Sequence, residues 1–496
     1  MRRSGILMPI TAFPSAYGIG SFSKEAYRFV DFLARAEQSL WQILPLGPTG
    51  YGDSPYQSFS TFAGNPYFID PDELVARGWL THKECAATYS GADDAPVDYE
   101  HIYNTRFKLL RKAYEKSGIA SDPDYKNYIK ANAFWLDDYA LYMAVKNSFG
   151  GASWIEWDED IRLRSKKAVA EYTGKYADEI GFYKFQQYMF SVQWNKLKDY
   201  ANERGIKIVG DIPIYVAFDS ADTWSHPELF QLDEDNRPIG VAGCPPDAFS
   251  ATGQLWGNAL YKWDYHKKTG YKWWIQRFEY CYRLYDVLRI DHFRGFDEYY
   301  SIPYGDPTAE FGHWEQGPGY DIFKVMKDAL GKREVIAEDL GFLTDTVLKL
   351  VKKTGYPGMK VLLFAFDHRE PSDYLPHAYT SNSVVYTGTH DNDTVEGWIR
   401  SASPRDVRFA MKYLGVKRRS QIREALIRAA HSCVAETCII PMQDYLGLDN
   451  TARINMPSTV GGNWVWRMSP DALTDELSDA IRDITILYGR SEKTAR

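Results

Sequence analysis

Short apolar runs alternate along the whole chain with stretches in which apolar residues recur every three or four positions, an exchange of strand-like for helix-like periodicity. The runs predict eight strands: Gly5–Pro9, Leu40–Leu46, Ile206–Val209, Val287–Ile290, Val335–Ala337, Met359–Phe366, Val384–Thr387 and Ile439–Met442. Between them Ala26, Phe29, Val30 and Leu33 share one helical stripe. Ile322–Leu330 and Thr344–Thr354 read as helices closed by Gly331 and Gly355, where left-handed caps would sit, and Ile422–Ala430 reads as another. Strand followed by helix, repeated eight times, implies an α/β fold, a (β/α)8 TIM barrel. Two gaps are too long for simple crossovers. We expect residues 50–200 to form a mainly helical insertion after strand two and residues 217–285 an insertion after strand three. Both leave the carboxyl ends of strands and so would stand around the active-site mouth of a single barrel spanning 1–496, since no repeat or low-complexity linker divides the chain.

The runs end in polar residues. Asp211 follows the third strand, Asp291 the fourth, Glu338 the fifth and Asp367 the sixth, while His390 and Asp391 follow the seventh. In a parallel barrel these positions face the mouth. A pair of carboxylates, one a nucleophile and one a proton donor, is what cleavage of an acetal such as a glycosidic bond requires. Asp291, Glu338 and Asp391 are the candidates; any one alone reads equally as a helix cap or salt-bridge partner.

Composition adds exclusions. A chain of 496 residues with a formal charge of −8 carries none of the basic excess of a nucleic-acid binder. Its longest apolar runs are strand-sized and too short to span a bilayer. The start, MRRSGILMPITAFPSA, places arginines ahead of apolar residues as a signal peptide does, but Pro9 and Pro14 interrupt it and it reads as a first strand. Five cysteines without a CxxC pair indicate neither a disulfide framework nor a zinc knuckle, so a cytoplasmic location is expected. HxH and HExxH ligand spacings and a complete phosphate-cradling glycine motif are absent, so no metal or cofactor is expected. The aromatic content of 15% would serve either a large core or sugar-stacking surfaces.

Several longer segments together carry a resemblance: SAYGIGSF (15–22), WQILPLGPTGYGDSPYQSFSTFAGNPY (41–67), GDIPIYV (210–216), PPDAFSATGQLWGNALYKW (245–263), RIDHFRGF (289–296), VIAEDLG (335–341), YTGTHDND (386–393) and RINMPSTVGGNWVWR (453–467). On these the chain resembles the amylomaltases, the 4-α-glucanotransferases or disproportionating enzymes of the α-amylase clan. The resemblance implies that Asp291 is the nucleophile, Glu338 the general acid and base, and Asp391 a holder of sugar hydroxyls in the cleavage subsite. It also implies substrate contacts for Tyr56, Asp211, Gln254, Trp256, Asn258, His390, Asn463 and Trp464. Arg289, two residues before Asp291 and hence on the same strand face, is placed to keep that carboxylate ionised and aimed. Glu338 must instead stay protonated near neutral pH, as burial would favour. Alternation points His292 away from the Asp291 face, so it is read as structural.

Two departures from the pattern stand out. Ile214, Tyr215 and Val216 replace the Asn-His pair that α-amylases carry after the third strand, which favours an amylomaltase over a hydrolase. Ala248 replaces an aromatic that many relatives carry in the 245–263 loop, which leaves chain-length preference open. The partners implied are α-1,4-glucan donors, with glucose or maltodextrin acceptors, and neither nucleic acid nor membrane. A hydrolytic α-amylase-like enzyme and a non-catalytic glucan-binding protein are the rival readings.

Overall fold

The computed structural model describes residues 2–50, 52–246, 250–341 and 343–491. Its centre is a closed barrel of eight parallel strands: β1 (Arg3–Leu7), β2 (Leu40–Gln42), β3 (Lys207–Ile212), β4 (Val287–Ile290), β5 (Val335–Ala337), β6 (Gly358–Val361), β7 (Ser383–Tyr386) and β8 (Thr437–Pro441). Each pairs with its sequence neighbours, and β1 closes the ring on β8 through Arg3 opposite Thr437 and Leu7 opposite Pro441. The expected barrel is therefore present, with shifted ends. The first strand begins two residues earlier and the second stops at Gln42. The sixth stops at Val361, where Leu362–Phe364 forms a 3-10 turn, so Asp367 lies well past the strand and is held by Arg369 at 2.6 Å.

Strand alternation sorts the side chains into two packed shells. Leu7, Leu40, Val209, Val287, Ile336, Met359, Val384 and Ile439 fill the barrel interior. Ile6, Trp41, Ile208, Leu288, Val361 and Ile440 face outward into the larger core shared with the helices. Both faces of each strand are buried, and the strands accordingly read as nearly continuous apolar runs. Along the inward rows the residue type changes from bottom to top: Leu40 to Gln42, Val209 to Asp211, Val287 to Arg289 to Asp291, Ile336 to Glu338. The lower interior is apolar packing, and the upper interior is a charged floor.

Between β2 and β3 lie the helices Tyr99–Ser117, Pro123–Ser148, Lys166–Lys175 and Ala177–Glu203, the last of which leads directly into β3. They enclose an aromatic core of their own, with Phe62, Trp135, Tyr139, Trp154, Trp157 and Trp224. Most of the aromatic content is used in this way, as packing: Trp41, Trp154, Trp194, Trp224 and Trp274 are fully buried. A second feature over the mouth is an antiparallel sheet of four strands, Gln254–Ala259, Gly240–Cys244, Glu298–Pro303 and His313–Gln316 in spatial order. Half of it comes from the segment between β3 and β4 and half from the segment after β4, which the periodicity had not marked as an insertion. Among the described residues no helix is long and apolar enough to cross a membrane.

Candidate active site

The register of β4 and β5 sets the site. Arg289 lies opposite Ile336 and Ile290 opposite Ala337, and the Glu338 N–H donates to the Ile290 carbonyl at 3.0 Å while the Asp291 N–H donates to Ile212 at 3.0 Å. Asp291 and Glu338 thus leave adjacent strands at the same height, where strands are about 4.8 Å apart. Glu338 is fixed at both oxygens: the His292 N–H donates to Oε2 at 2.7 Å and the Leu340 N–H to Oε1 at 2.9 Å.

His292 supplies that bond because it does not continue the strand. Its φ of 48° is left-handed, a conformation disfavoured by roughly 1–2 kcal/mol outside glycine, and it turns the backbone N–H toward Glu338. Alternation therefore does not govern its ring, which meets Trp256 edge to face at 4.9 Å. Burial holds its pKa down at about 4, so it is neutral.

Beneath the two carboxylates lies one guanidinium. Arg289 Nη1 donates to both oxygens of Asp211 at 2.6 and 2.7 Å and to Asp291 Oδ1 at 3.0 Å. The Arg289 and Asp211 side chains are 3% and 0% exposed, whereas Asp291 keeps 28% of its side-chain surface open. Arg289 thus lies against Asp291, as its place on the strand implied, and Asp211, which the resemblance assigns to the substrate, is buried against Arg289. The division of Arg289 between two partners also bears on charge. Burial raises Asp291 to about 7 against the pull of Arg289, helped by Asp211, Glu338 and Asp391. Burial raises Glu338 as well, opposed by Arg289 and by its two backbone bonds. Arg289 thus does not by itself hold Asp291 ionised: most of its charge is committed to Asp211, and burial works against ionisation of both Asp291 and Glu338.

On the opposite rim Asp391 is 41% exposed at its side chain and has its two oxygens divided. Oδ1 accepts from Asn455 Nδ2 at 2.6 Å, and Oδ2 faces His390 Nε2 at 3.3 Å. Burial works against ionisation here, but His390 and the Asn455 bond outweigh it and hold Asp391 down at about 2. Burial likewise opposes a charged His390, and Asp391 beside it raises its pKa nonetheless. His390 is 2% exposed and its Nε2 lies 2.9 Å from the Tyr56 hydroxyl, which donates onward to Asp211 Oδ2 at 2.8 Å. A chain His390–Tyr56–Asp211–Arg289–Asp291 therefore joins the two rims, with His390 buried beside Asp391. Trp464 packs against both Tyr56 and His390 with ring centres 6.0 Å away.

Gln254, Trp256 and Asn258 alternate along one strand and share a face. Gln254 Oε1 accepts from Trp256 Nε1 at 3.1 Å, and Asn258 Oδ1 accepts from Gln57 Nε2 at 2.9 Å. Gln57 also donates to the Trp256 carbonyl at 3.1 Å, tying the loop after β2 to the four-stranded sheet. Asn463 is not brought to the carboxylates. It donates to Thr459 at 3.0 and 3.1 Å and accepts from Met456 N–H at 2.9 Å, so its amide holds its own loop together. Ala248 lies outside the described residues.

Sequence reasoning gave no role to Asn455, or to Arg453, which donates to the Asp391 carbonyl at 2.6 Å and pairs with Asp393. Both sit in the segment 453–467, whose alternation carries no strand or helix signal. Gln57 was likewise passed over beside Tyr56. One cluster among the described residues has ligand atoms close enough for a metal, Asp367, His368 and Asp406. Its groups are already committed, Asp367 to Arg369 at 2.6 Å and His368 Nδ1 to Asp406 at 2.6 Å.

Comparison with known proteins agrees with this geometry. A family profile described as 4-alpha-glucanotransferase matches residues 8–474. A 4-alpha-glucanotransferase from Clostridium butyricum is 48% identical over 487 residues, covering 98% of this chain and 100% of that one. The corresponding protein from Thermus thermophilus is 44% identical, with 97% of each chain covered. Among solved structures, the amylomaltase from Streptococcus agalactiae in complex with acarbose superimposes with a TM-score of 0.96 at 41% identity, over 99% of this chain and 100% of that one. The chain belongs to the 4-α-glucanotransferase family, and its (β/α)8 barrel is the barrel of an amylomaltase.

Proposed function

We propose that the protein transfers α-1,4-glucan segments from a maltooligosaccharide or amylose donor to glucose or another maltodextrin by a retaining double displacement. The observation that carries this reading is the juxtaposition of Asp291 and Glu338 at matching heights on adjacent strands. Side chains at matching heights on neighbouring strands suit the close carboxyl pair of a retaining enzyme, roughly 5–5.5 Å apart, better than the roughly 6.5–9.5 Å that an intervening water needs.

In the first step an Asp291 oxygen bonds to the anomeric carbon while the Glu338 carboxyl gives its proton to the departing glycosidic oxygen. In the second, the Glu338 carboxylate takes the proton of an acceptor 4-hydroxyl, whose oxygen bonds to the same carbon and frees Asp291. Asp391, ionised and held from both sides, accepts from hydroxyls of the sugar between them and favours its distorted form. Tyr56 and Trp464 offer ring faces on the donor side, and Trp256 with Gln254 and Asn258 on the acceptor side, since a glucose ring presents an apolar face and polar edges. A bound acceptor has a high effective concentration beside the intermediate, and this tips the second step from water toward sugar. Five free cysteines suit a reducing cytoplasm.

Incubation with maltotriose tests this directly. Glucose and a ladder of longer maltodextrins should appear together, with the total of reducing ends constant. Shorter products alone, with reducing ends rising, would make the protein a hydrolase.

A further inference from the structure

A wide cavity lies at the other end of the barrel. It has a volume of about 1060 Å³ and is lined by the starts of strands, among them Arg3, Lys207, Val335, Ser383 and Thr437, rather than by their carboxyl ends. Nine of its lining residues are Lys or Arg and three are Glu, on a chain whose formal charge is −8. Part of that excess is neutralised: Glu334 takes Arg3 at 2.6 Å and also pairs with Lys207.

Four cations are not neutralised. Lys327, Lys332, Arg333 and Lys353 make no ion pair among the described residues, and the ammonium groups of Lys327 and Lys332 have no hydrogen-bond partner there either. Two of the four are poised over aromatic rings, Lys353 Nζ 4.3 Å from the centre of Tyr320 and the Arg333 guanidinium 5.1 Å from that of Tyr282. Helix ends account for only some of this charge. The helices Tyr320–Leu330 and Asp345–Thr354 bring their carboxyl ends here, each equivalent to about half a negative charge. Four unpaired cations exceed that several-fold.

We propose that this basal bowl binds a multiply charged phosphorylated small molecule, with the phosphates among Lys327, Lys332, Arg333 and Lys353 and any ring system against Tyr282 and Tyr320. The bowl is wide enough for a nucleotide, and a guanidinium beside ammonium groups is a common phosphate-binding donor set. It is separate from the carboxylates at the mouth and independent of the transfer reaction assigned to them.

Calorimetric titration of the full-length protein with ATP and with pyrophosphate tests the site. Each should give saturable binding at low salt, weakened about tenfold or more at high salt as the Debye length shrinks. Tighter binding of ATP than of pyrophosphate identifies a nucleotide source, and equal binding a simple phosphate; either supports the site. The exposed double variant K332E/R333E should lose about tenfold or more of that affinity, while turning over maltotriose at the rate of the parent and melting at the same temperature. The single variant K327Q should lose a few-fold. Absence of saturable binding for both probes, or unchanged affinity in both variants, overturns the proposal.

Discussion

The two ends of β3 carry the same kind of ion pair in opposite surroundings. At the lower end Lys207 bonds Glu334 across the strand starts, with side chains 49% and 39% exposed. At the upper end Arg289 of β4 bonds Asp211 of β3, with side chains 3% and 0% exposed. Water screens the first pair, and each partner can be solvated if the other is lost. The second has no such refuge, so the loss of either partner strands a charge in the protein interior. Proximity is similar in the two cases, and burial decides which pair has consequences. The upper pair also touches Asp291 and Tyr56, so its electrostatics reach the chemistry, while the lower pair reaches only the rim of the basal bowl.

Substitutions at the mouth should have the largest effects. Asp291→Asn removes the nucleophile and Glu338→Gln the proton carrier without changing shape. Each should lower kcat on maltotriose by roughly 10⁴-fold or more, about 5 kcal/mol or more of barrel-mouth chemistry, with an unaltered melting curve. Near-parental turnover in either variant would place the chemistry elsewhere. One level down, Asp211→Ala leaves Arg289 with a single weak partner and deprives Tyr56 of its acceptor. Removal of one member of a buried pair costs on the order of 3–5 kcal/mol, to be read as a lower urea midpoint at unchanged slope. A midpoint equal to the parent's would show that the floor is far better solvated than its burial implies.

The pH dependence sharpens the same contrast. Asp291 attacks only when ionised, and its pKa in the structure is about 7, so kcat/KM should fall as the pH drops through that region. Asp391 is one of the negative neighbours that raise it. Asp391→Asn, although much slower, should therefore shift the acid limb to lower pH. A shift the other way would mean that Asp391 is not ionised beside Asp291.

The comparison also explains what was legible in the sequence. All eight barrel strands could be read because both faces of each are buried, and their interiors are apolar runs. Their ends could not. Leu362, Leu363 and Phe366 stay buried after the backbone leaves β6 at Val361, so hydropathy alone extended that strand to Phe366. Alternation put Arg289 on the same inward row as Asp291, but period-two reasoning says which way a side chain points and not how deep it lies. For that reason the burial of Asp211 against Arg289 and of His390 against Tyr56 was not legible. His292 escaped because alternation stops where φ turns positive, and Asn455 because a long loop carries no periodicity to reason from.

The smallest effect belongs to the lower pair, and it is the control for all the others. Glu334→Gln removes the charge that Arg3 and Lys207 share, at a site where all three side chains are between 28% and 49% exposed. An exposed pair contributes about 1 kcal/mol or less. In the structure the pKa of Glu334 is lowered: burial pushes it up, but its bonds to Lys207 and Arg3 more than offset that. Its stabilising contribution is therefore present above the ordinary carboxylate range and is lost as the pH falls through the lowered value. The unfolding midpoint of Glu334→Gln should accordingly differ little from the parent at neutral pH and converge with it in acid, with maltotriose turnover unchanged. A loss of several kcal/mol, or a change in kcat, would mean that charge at the strand starts is felt at the strand ends, and the two ends of the barrel could no longer be treated as separate.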